Sequence, residues 1–275
     1  MNITFWGVRG SVPTPGPDTA SYGGNTSCVS VQADPSSIVV LDAGTGICQL
    51  GNHLGDEVER IDILLTHLHM DHIIGLGFFG GFYREGLEVH LWGPDSTVAQ
   101  LRERLSRYMS PPIFPVRLKE LPCRLELHSL PLGPFEVPGF DVTATLVCHP
   151  GATVGYRITG AATVAYLPDH EPALGVPHFP ELPRWTSGYD LMSGADVLIH
   201  DAQYTDDEYE GRRGWGHSSI GQTVAVAQLA GVHHLIPFHH DPSHDDERVD
   251  AIYAGIGAPN GMAVTPAREG LSLTL

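Results

Sequence analysis

The chain's 275 residues suffice for one large α/β domain or two small ones, and 42% of them are hydrophobic, enough for an ample core. Against 32 Asp+Glu stand 15 Lys+Arg, for a formal net charge of −17. Such a surface repels polyanions and counts against a large nucleic-acid footprint, while leaving room for one small phosphate held at a cation.

Residues 2–6 and 27–33 read as strands, joined by a Gly/Pro-rich loop from Gly7 to Gly24. That loop carries Arg9-Gly10-Ser11 and leads into Tyr22-Gly23-Gly24-Asn25-Thr26. Its glycines allow either tight turns, the preferred reading, or close backbone approach to another group, with phosphate-contacting amides as the lesser alternative. Ser37–Leu41 is a short buried strand ending in Asp42-Ala43-Gly44-Thr45-Gly46, with a helix expected over 47–55. This turn lacks the Lys-Ser/Thr of a P-loop and the glycine spacing of a dinucleotide fold. Ile61–Leu65 is the next strand, followed by a helix or turn over 72–80 and a strand at Glu88–Trp92. A helix carrying Leu101, Leu105 and Tyr108 on one face ends near 108, and strands punctuated by Pro131, Pro134 and Pro138 fill 123–146.

The second half repeats the alternation. Strands are expected at 154–158, 162–167, 196–199 and 234–237, and 262–274 returns as strand. Helices are expected at 181–193, at 218–230 with Ser218 as N-cap, and at 243–256. Alternating strands and helices indicate a layered α/β fold, and no linker divides residues 1–275, so one domain is expected. The cysteines Cys28, Cys48, Cys123 and Cys148 are scattered without a Cys-x-x-Cys pair, as free thiols in a reducing cytosol would be. Met1–Trp6 runs into a strand without the pattern of a leader, and no run approaches a membrane span, so a cytoplasmic protein is expected.

The chemistry concentrates in Thr66-His67-Leu68-His69-Met70-Asp71-His72. His67 and His69 are two apart and project to one side of extended chain; Asp71 and His72 follow where the chain turns. Imidazole and carboxylate together suit zinc, manganese or iron, and four donors in one stretch hint at two ions. Further candidates follow the ends of expected strands, where open α/β sheets place their sites. His217, in the glycine-rich Gly216-His217-Ser218-Ser219, can serve as an acid, with Asp201 placed to orient it.

The order His-x-His-x-Asp-His resembles the metallo-β-lactamase superfamily without a mismatch. The resemblance implies two mixed β-sheets flanked by helices in an αβ/βα four-layer sandwich. It also implies a dinuclear centre of two divalent ions, Zn2+ first and Mn2+ or Fe2+ as alternatives. On this resemblance the first ion takes His67, His69 and His149, and the second takes Asp71, His72, Asp169 and His239. Asp169 bridges the two, and His239 is preferred over its neighbour His240. The Asp42 turn is similar to one that lies beneath the metals in relatives, which implies that Asp42 supports the loop without binding metal.

His200-Asp201-Ala202-Gln203 and His217-Ser218-Ser219 resemble the His-Glu-Ala-Thr and His-Ser-Thr motifs of tRNase Z-type members, with Asp for Glu as a departure. They imply the phosphodiesterase branch, in which a metal-bridging hydroxide attacks the phosphorus and His217 protonates the leaving oxygen. Residues 73–148 hold Arg84, Arg102, Arg104, Arg107, Arg117, Lys119 and Arg124 but no long basic arm, so a small, cyclic-nucleotide-type phosphodiester is the expected substrate. Asn25, Thr26, Phe78, Phe79, Tyr83 and Trp215 are candidates to flank it. A tRNase Z-like endoribonuclease and a carboxylic or thioester hydrolase are the alternatives. The resemblance further implies a homodimer.

Overall fold

The computed structural model describes residues 1–174, 182–257 and 259–275. Strands β1 (Asn2–Gly7), β2 (Cys28–Asp34), β3 (Ser37–Leu41), β4 (Arg60–Leu64), β5 (Glu88–Gly93) and β6 (Arg124–Ser129) belong to one sheet. Strands β7 (Gly133–Val137), β8 (Phe140–Leu146), β9 (Val154–Thr159), β10 (Thr163–Leu167), β11 (Val197–Asp201), β12 (His234–Phe238) and β13 (Ala263–Val264) form the other. The chain then returns to the first sheet as β14 (Ser272–Thr274), giving the orders β14-β1-β2-β3-β4-β5-β6 and β13-β12-β11-β10-β9-β8-β7. In each sheet antiparallel pairing gives way to parallel pairing, from β3 to β6 in one and from β10 to β13 in the other. Among the parallel strands, the inner strand β11 has both faces covered and is buried at every position, whereas the edge strand β6 alternates exposed and half-buried residues.

Three cores result. Ile3, Phe5, Val29 and Leu41 meet Val142, Tyr156, Ile199 and Phe238 between the sheets. Ile61, Ile63, Val89 and Leu91, on the opposite face of the first sheet, pack under α1 (Gly46–Asn52) and the segment bearing α2 (Met70–Ile73) and α3 (Leu101–Ser106). Ala165, Leu198 and Leu235 pack under α4 (Tyr189–Met192) and, after α5 (Asp206–Glu210), α6 (Ile220–Leu229); α7 (Asp246–Ala254) closes the series. This is the expected four-layer order of helix, sheet, sheet, helix. Each fully buried aliphatic side chain in it contributes about 1.5–3 kcal/mol against conformational entropy. No helix among the described residues is long and apolar enough to cross a membrane.

Several expected boundaries shift. Of the helix expected at 181–193, residue 181 lies outside the described residues; a single 3-10 turn at Pro183–Trp185 precedes α4, which spans only Tyr189–Met192. Gly188, at φ +67°, interrupts the run between them. Ser219, not Ser218, caps α6: its side chain accepts from the Gln222 N–H at 3.2 Å, while Ser218 Oγ donates to His170 O at 2.5 Å. The strand expected at 262–274 divides into β13 and β14. Between them Ala267 still donates its N–H to Pro237 O of β12, whereas Glu269 donates to Tyr22 O in the first loop. The short helix α5 has no counterpart in the expectations; Thr205 and Glu208 form its capping box.

Candidate metal centre

Strand β4 ends at Leu64, and the chain stays extended through His69 before α2 begins, which aims the histidine-rich stretch at the edge where β3, β10, β11 and β12 also end. Asp42, just past β3, holds this loop from below. Its Oδ1 accepts from Thr66 N at 2.8 Å and its Oδ2 lies 2.8 Å from His72 Nδ1, with the Tyr166 hydroxyl donating to Oδ2 at 3.0 Å. To do so Asp42 takes φ +59°, a left-handed conformation that costs a non-glycine residue about 1 kcal/mol or more and persists only where bonds over-determine it.

The predicted donors form two groups joined by one carboxylate. In the first, His149 Nε2 lies 3.2 Å from His69 Nδ1, and Asp169 Oδ2 lies 3.7 Å from both His67 Nε2 and His149 Nε2. In the second, Asp169 Oδ1 is 2.9 Å from His72 Nε2 and 3.3 Å from His239 Nε2. Asp71 Oδ2 is 3.4 Å from His72 Nε2 and 3.3 Å from His239 Nε2. Ligand bonds of about 2.0–2.1 Å in a tetrahedron put donor atoms about 3.3–3.4 Å apart, so both groups are spaced for a cation. Asp169 presents one oxygen to each. His67 Nε2, His72 Nε2 and Asp169 Oδ1 are also buried without a hydrogen-bond partner; the last two stand close but out of line. Buried polar atoms without partners that converge on one point are a donor set that a cation would satisfy. Nitrogen and carboxylate donors fit zinc, manganese or iron.

The far side of most of these rings is pinned. His67 Nδ1 faces Thr66 Oγ1 at 3.0 Å, His72 Nδ1 faces Asp42, His149 Nδ1 faces Gly216 O at 2.7 Å, and His239 Nδ1 faces Gln203 Oε1 at 3.1 Å. For His72, His149 and His239 an acceptor on that side fixes the N–H there and leaves a lone pair toward the cluster. Burial, aided by the neighbouring histidines, pushes the pKa of His67 well down and keeps it neutral. Burial acts the same way on His72, but the Asp169, Asp71 and Asp42 carboxylates outweigh it and raise its pKa well above the ordinary value. The second group therefore demands positive charge.

Beside the cluster, His217 Nδ1 donates to Asp201 Oδ2 at 2.7 Å, so Asp reaches despite being one methylene shorter than Glu. Asp201 is fully buried and steadied by the His170 and Gln203 N–H groups at 3.1 and 3.0 Å. Burial opposes a charge on His217, yet Asp201, with Asp169 and Asp71, lifts its pKa to about 9. Its ring stacks on His239 with centroids 5.0 Å apart.

The beta-lactamase superfamily domain model matches residues 38–240, which includes every one of these donors. The chain belongs to this superfamily. A Ribonuclease Z of Staphylococcus aureus is 24% identical over 303 aligned residues, covering 92% of each chain. Among solved structures, a diphosphatase of the PhnP family superposes with a TM-score of 0.68 at 20% identity, covering 100% of this chain and 97% of that one. Zn2+-bound PqqB of Methylobacterium extorquens superposes with a TM-score of 0.69 at 20% identity, covering all of both chains. The superfamily fold is thus present over the whole length, and the chain is a metal-dependent hydrolase.

Thr26 exchanges bonds with Thr45 at 2.9 Å each way, Asn25 is held by Glu269, and His240 Nε2 donates to Ala267 O at 2.8 Å. The polar groups of all three are therefore engaged in supporting loops. Phe79 is core, whereas Phe78, Tyr83 and Trp215 are exposed. At Gly10 the first loop uses glycine for close backbone approach, since a Cβ there would stand 2.4 Å from His239 Nδ1. Sequence reasoning did not assign Ser11, whose N–H donates to Asp71 Oδ2 at 2.8 Å, nor Gln203 and Gly216, which pin rings. It also missed Glu171, fully buried, which accepts from Tyr209 Oη at 2.6 Å and from the Gly214 and Gly216 N–H groups at 2.9 Å. Its adjacency to the Asp169-His170 pair was the one available signal.

Proposed function

We propose that this chain hydrolyses a small, cyclic-nucleotide-type phosphodiester. The observation that carries the reading is the 2.7 Å Asp201–His217 pair beside the two donor groups, which a carboxylic or thioester hydrolase would leave without work. Two divalent ions, Zn2+ first, would be held by His67, His69, His149 and Asp169 and by Asp71, His72, Asp169 and His239. When bound, such ions supply Lewis-acid polarisation and a lowered pKa for water. The chain's own part is positional and protonic. Asp169 turns one oxygen toward each donor group and would be shared by the two ions, and Asp71 is held by the Ser11 N–H and faces His239. As a water-derived oxygen bonds to phosphorus and the ester P–O bond breaks, the free nitrogen of His217 gives its proton to the departing oxygen, and Asp201 stabilises and orients the ring through Nδ1. Trp215, 61% exposed and two residues before His217, offers a stacking face for a base.

Ribonuclease Z similarity favours tRNA 3′-end cleavage as the second reading. The net charge of −17 opposes it, and so does the engagement of several basic side chains of residues 73–148 within the chain. Arg84, Arg104 and Arg124 donate to backbone carbonyls, and Arg117 pairs with Glu120. Cyclic 2′,3′ and 3′,5′ nucleotides incubated with the zinc- or manganese-loaded protein, with precursor tRNA in parallel, separate the two. Ring opening that needs His67 supports the first reading, and salt-sensitive RNA cleavage supports the second.

The rest of the reading follows the same support. Residues 1–275 act as one domain because the core between the sheets draws on both halves of the chain. Four free cysteines suit a reducing cytoplasm. Phe78, which meets Phe114 edge-on, and Ile113, the residue before it, are each 68% exposed and offer a patch for a second copy, and sedimentation of the metal-loaded protein at twice the monomer mass would support the homodimer.

A further inference from the structure

A second cluster of ligand-type side chains shares no residue with the centre above. It lies at the edge of the first sheet, where β5 and β6 pair in parallel with His90 opposite Glu126 and Trp92 opposite His128. Residues two apart share a face of a strand, so Glu88, His90 and Trp92 line up beside Glu126 and His128, with Asp62 of β4 on the other flank. Glu88 Oε1 accepts from His90 Nε2 at 2.6 Å. Arg60 stands 3.5 Å from the same oxygen and is itself fixed on both oxygens of Asp62 at 2.8 and 2.9 Å.

This arrangement decides the tautomer of His90. With Nε2–H given to a carboxylate, Nδ1 carries a lone pair, and a carboxylate behind an imidazole is how metal-binding histidines are held. That lone pair faces His128 Nε2 at 2.8 Å and Glu126 Oε2 at 3.8 Å, and the last two atoms are also 3.8 Å apart. A tetrahedral cation with ligand bonds of about 2.0–2.1 Å needs donor atoms about 3.3–3.4 Å apart, so the His90 and His128 rings, now nearly parallel with centroids 5.0 Å apart, must part by about half an ångström and turn out of their in-line contact to share one. Burial and the neighbouring His90 lower the pKa of His128, which favours the neutral ring a metal requires. The His90 side chain is 8% exposed, His128 27% and Glu126 63%, so the triangle is anchored inside and open to solvent at its outer corner.

We propose that His90, His128 and Glu126 form a separate binding site for a divalent transition cation such as zinc or cobalt, which clamps the edge strand β6 to β5. Trp92 is a built-in reporter, since its ring stacks on His128 with centroids 4.1 Å apart. The test titrates zinc-loaded protein with Co2+ while tryptophan emission is followed, and then counts bound metal by mass spectrometry after gel filtration. The wild type retains about one more equivalent of metal per chain than His128→Ala or Glu126→Ala. Its emission is quenched by cobalt, and the quench is lost in Trp92→Phe. Glu126 is mostly exposed, so its truncation leaves the fold standing and keeps the test informative. Equal metal content in the wild type and both variants overturns the proposal in favour of a plain hydrogen-bond chain. A quench that survives Trp92→Phe undiminished overturns it as well.

Discussion

Asp42 shows how much one side chain does at this site without facing the substrate. It takes a strained backbone conformation and in return meets Thr66, His72 and Tyr166, all buried. Replacing it with alanine strands those partners, and removing one member of a buried charged network typically costs about 3–5 kcal/mol. Asp42→Ala should therefore unfold at markedly lower denaturant, and Asp42→Asn, which keeps the shape, should retain the fold with metal affinity about 10–100-fold weaker. Denaturant midpoints and metal competition measure the two effects separately. At His217 the expectation concerns rate. His217→Ala should lower kcat by about 10²–10⁴ while metal content stays at the wild-type level, because the ring is placed to move a proton and is not among the proposed ligands. Trp215→Ala should raise KM about tenfold with little change in kcat, within the ~1–3 kcal/mol that base stacking contributes.

At the scale of elements, short segments between strands carry the site, and their anchoring decides its precision. The glycine-rich turn over 211–216 is tied to buried Glu171 through two N–H groups, and its Gly216 carbonyl in turn fixes His149. A Cβ at Gly216 would stand 2.5 Å from His149 Nδ1, so this turn and the ligand ring are fitted to one another. Helix α6 begins at the Ser219 cap, whose loss in Ser219→Ala should cost about 1 kcal/mol by chemical denaturation. The donors were legible in the sequence because His67 to His72 are contiguous and because each later donor follows a strand. What pins them was not. Gly216 acts through its carbonyl and Ser11 through its amide, groups that every residue has, and Gln203 reaches His239 across 36 residues. The helix expected near 181–193 was over-read for a related reason: the apolar spacing suited a helix, but Pro183 and Gly188 divided it.

Across the whole molecule, two sheets with parallel inner strands bring loops from both halves of the chain to one edge, and each half supplies donors to both groups. The layered architecture was legible from alternating strands and helices, whereas the pairing of the sheets through a common core required long-range contacts that periodicity does not encode. Because Asp71 and Asp169 are buried facing a cluster of histidines, cations should hold the two halves together. Chelation should lower the melting temperature and re-addition of zinc should restore it; metal at about 100 times its Kd adds about 2.7 kcal/mol. The most direct measurement is product analysis of cyclic nucleotides incubated with the metal-loaded wild type, His67→Ala and His217→Ala proteins. Ring opening that is abolished in His67→Ala and slowed by about 10²–10⁴ in His217→Ala, with metal retained in the latter, is the expected result. Fully metal-loaded protein that opens no cyclic phosphodiester, or opens it equally well without His217, would contradict the assignment.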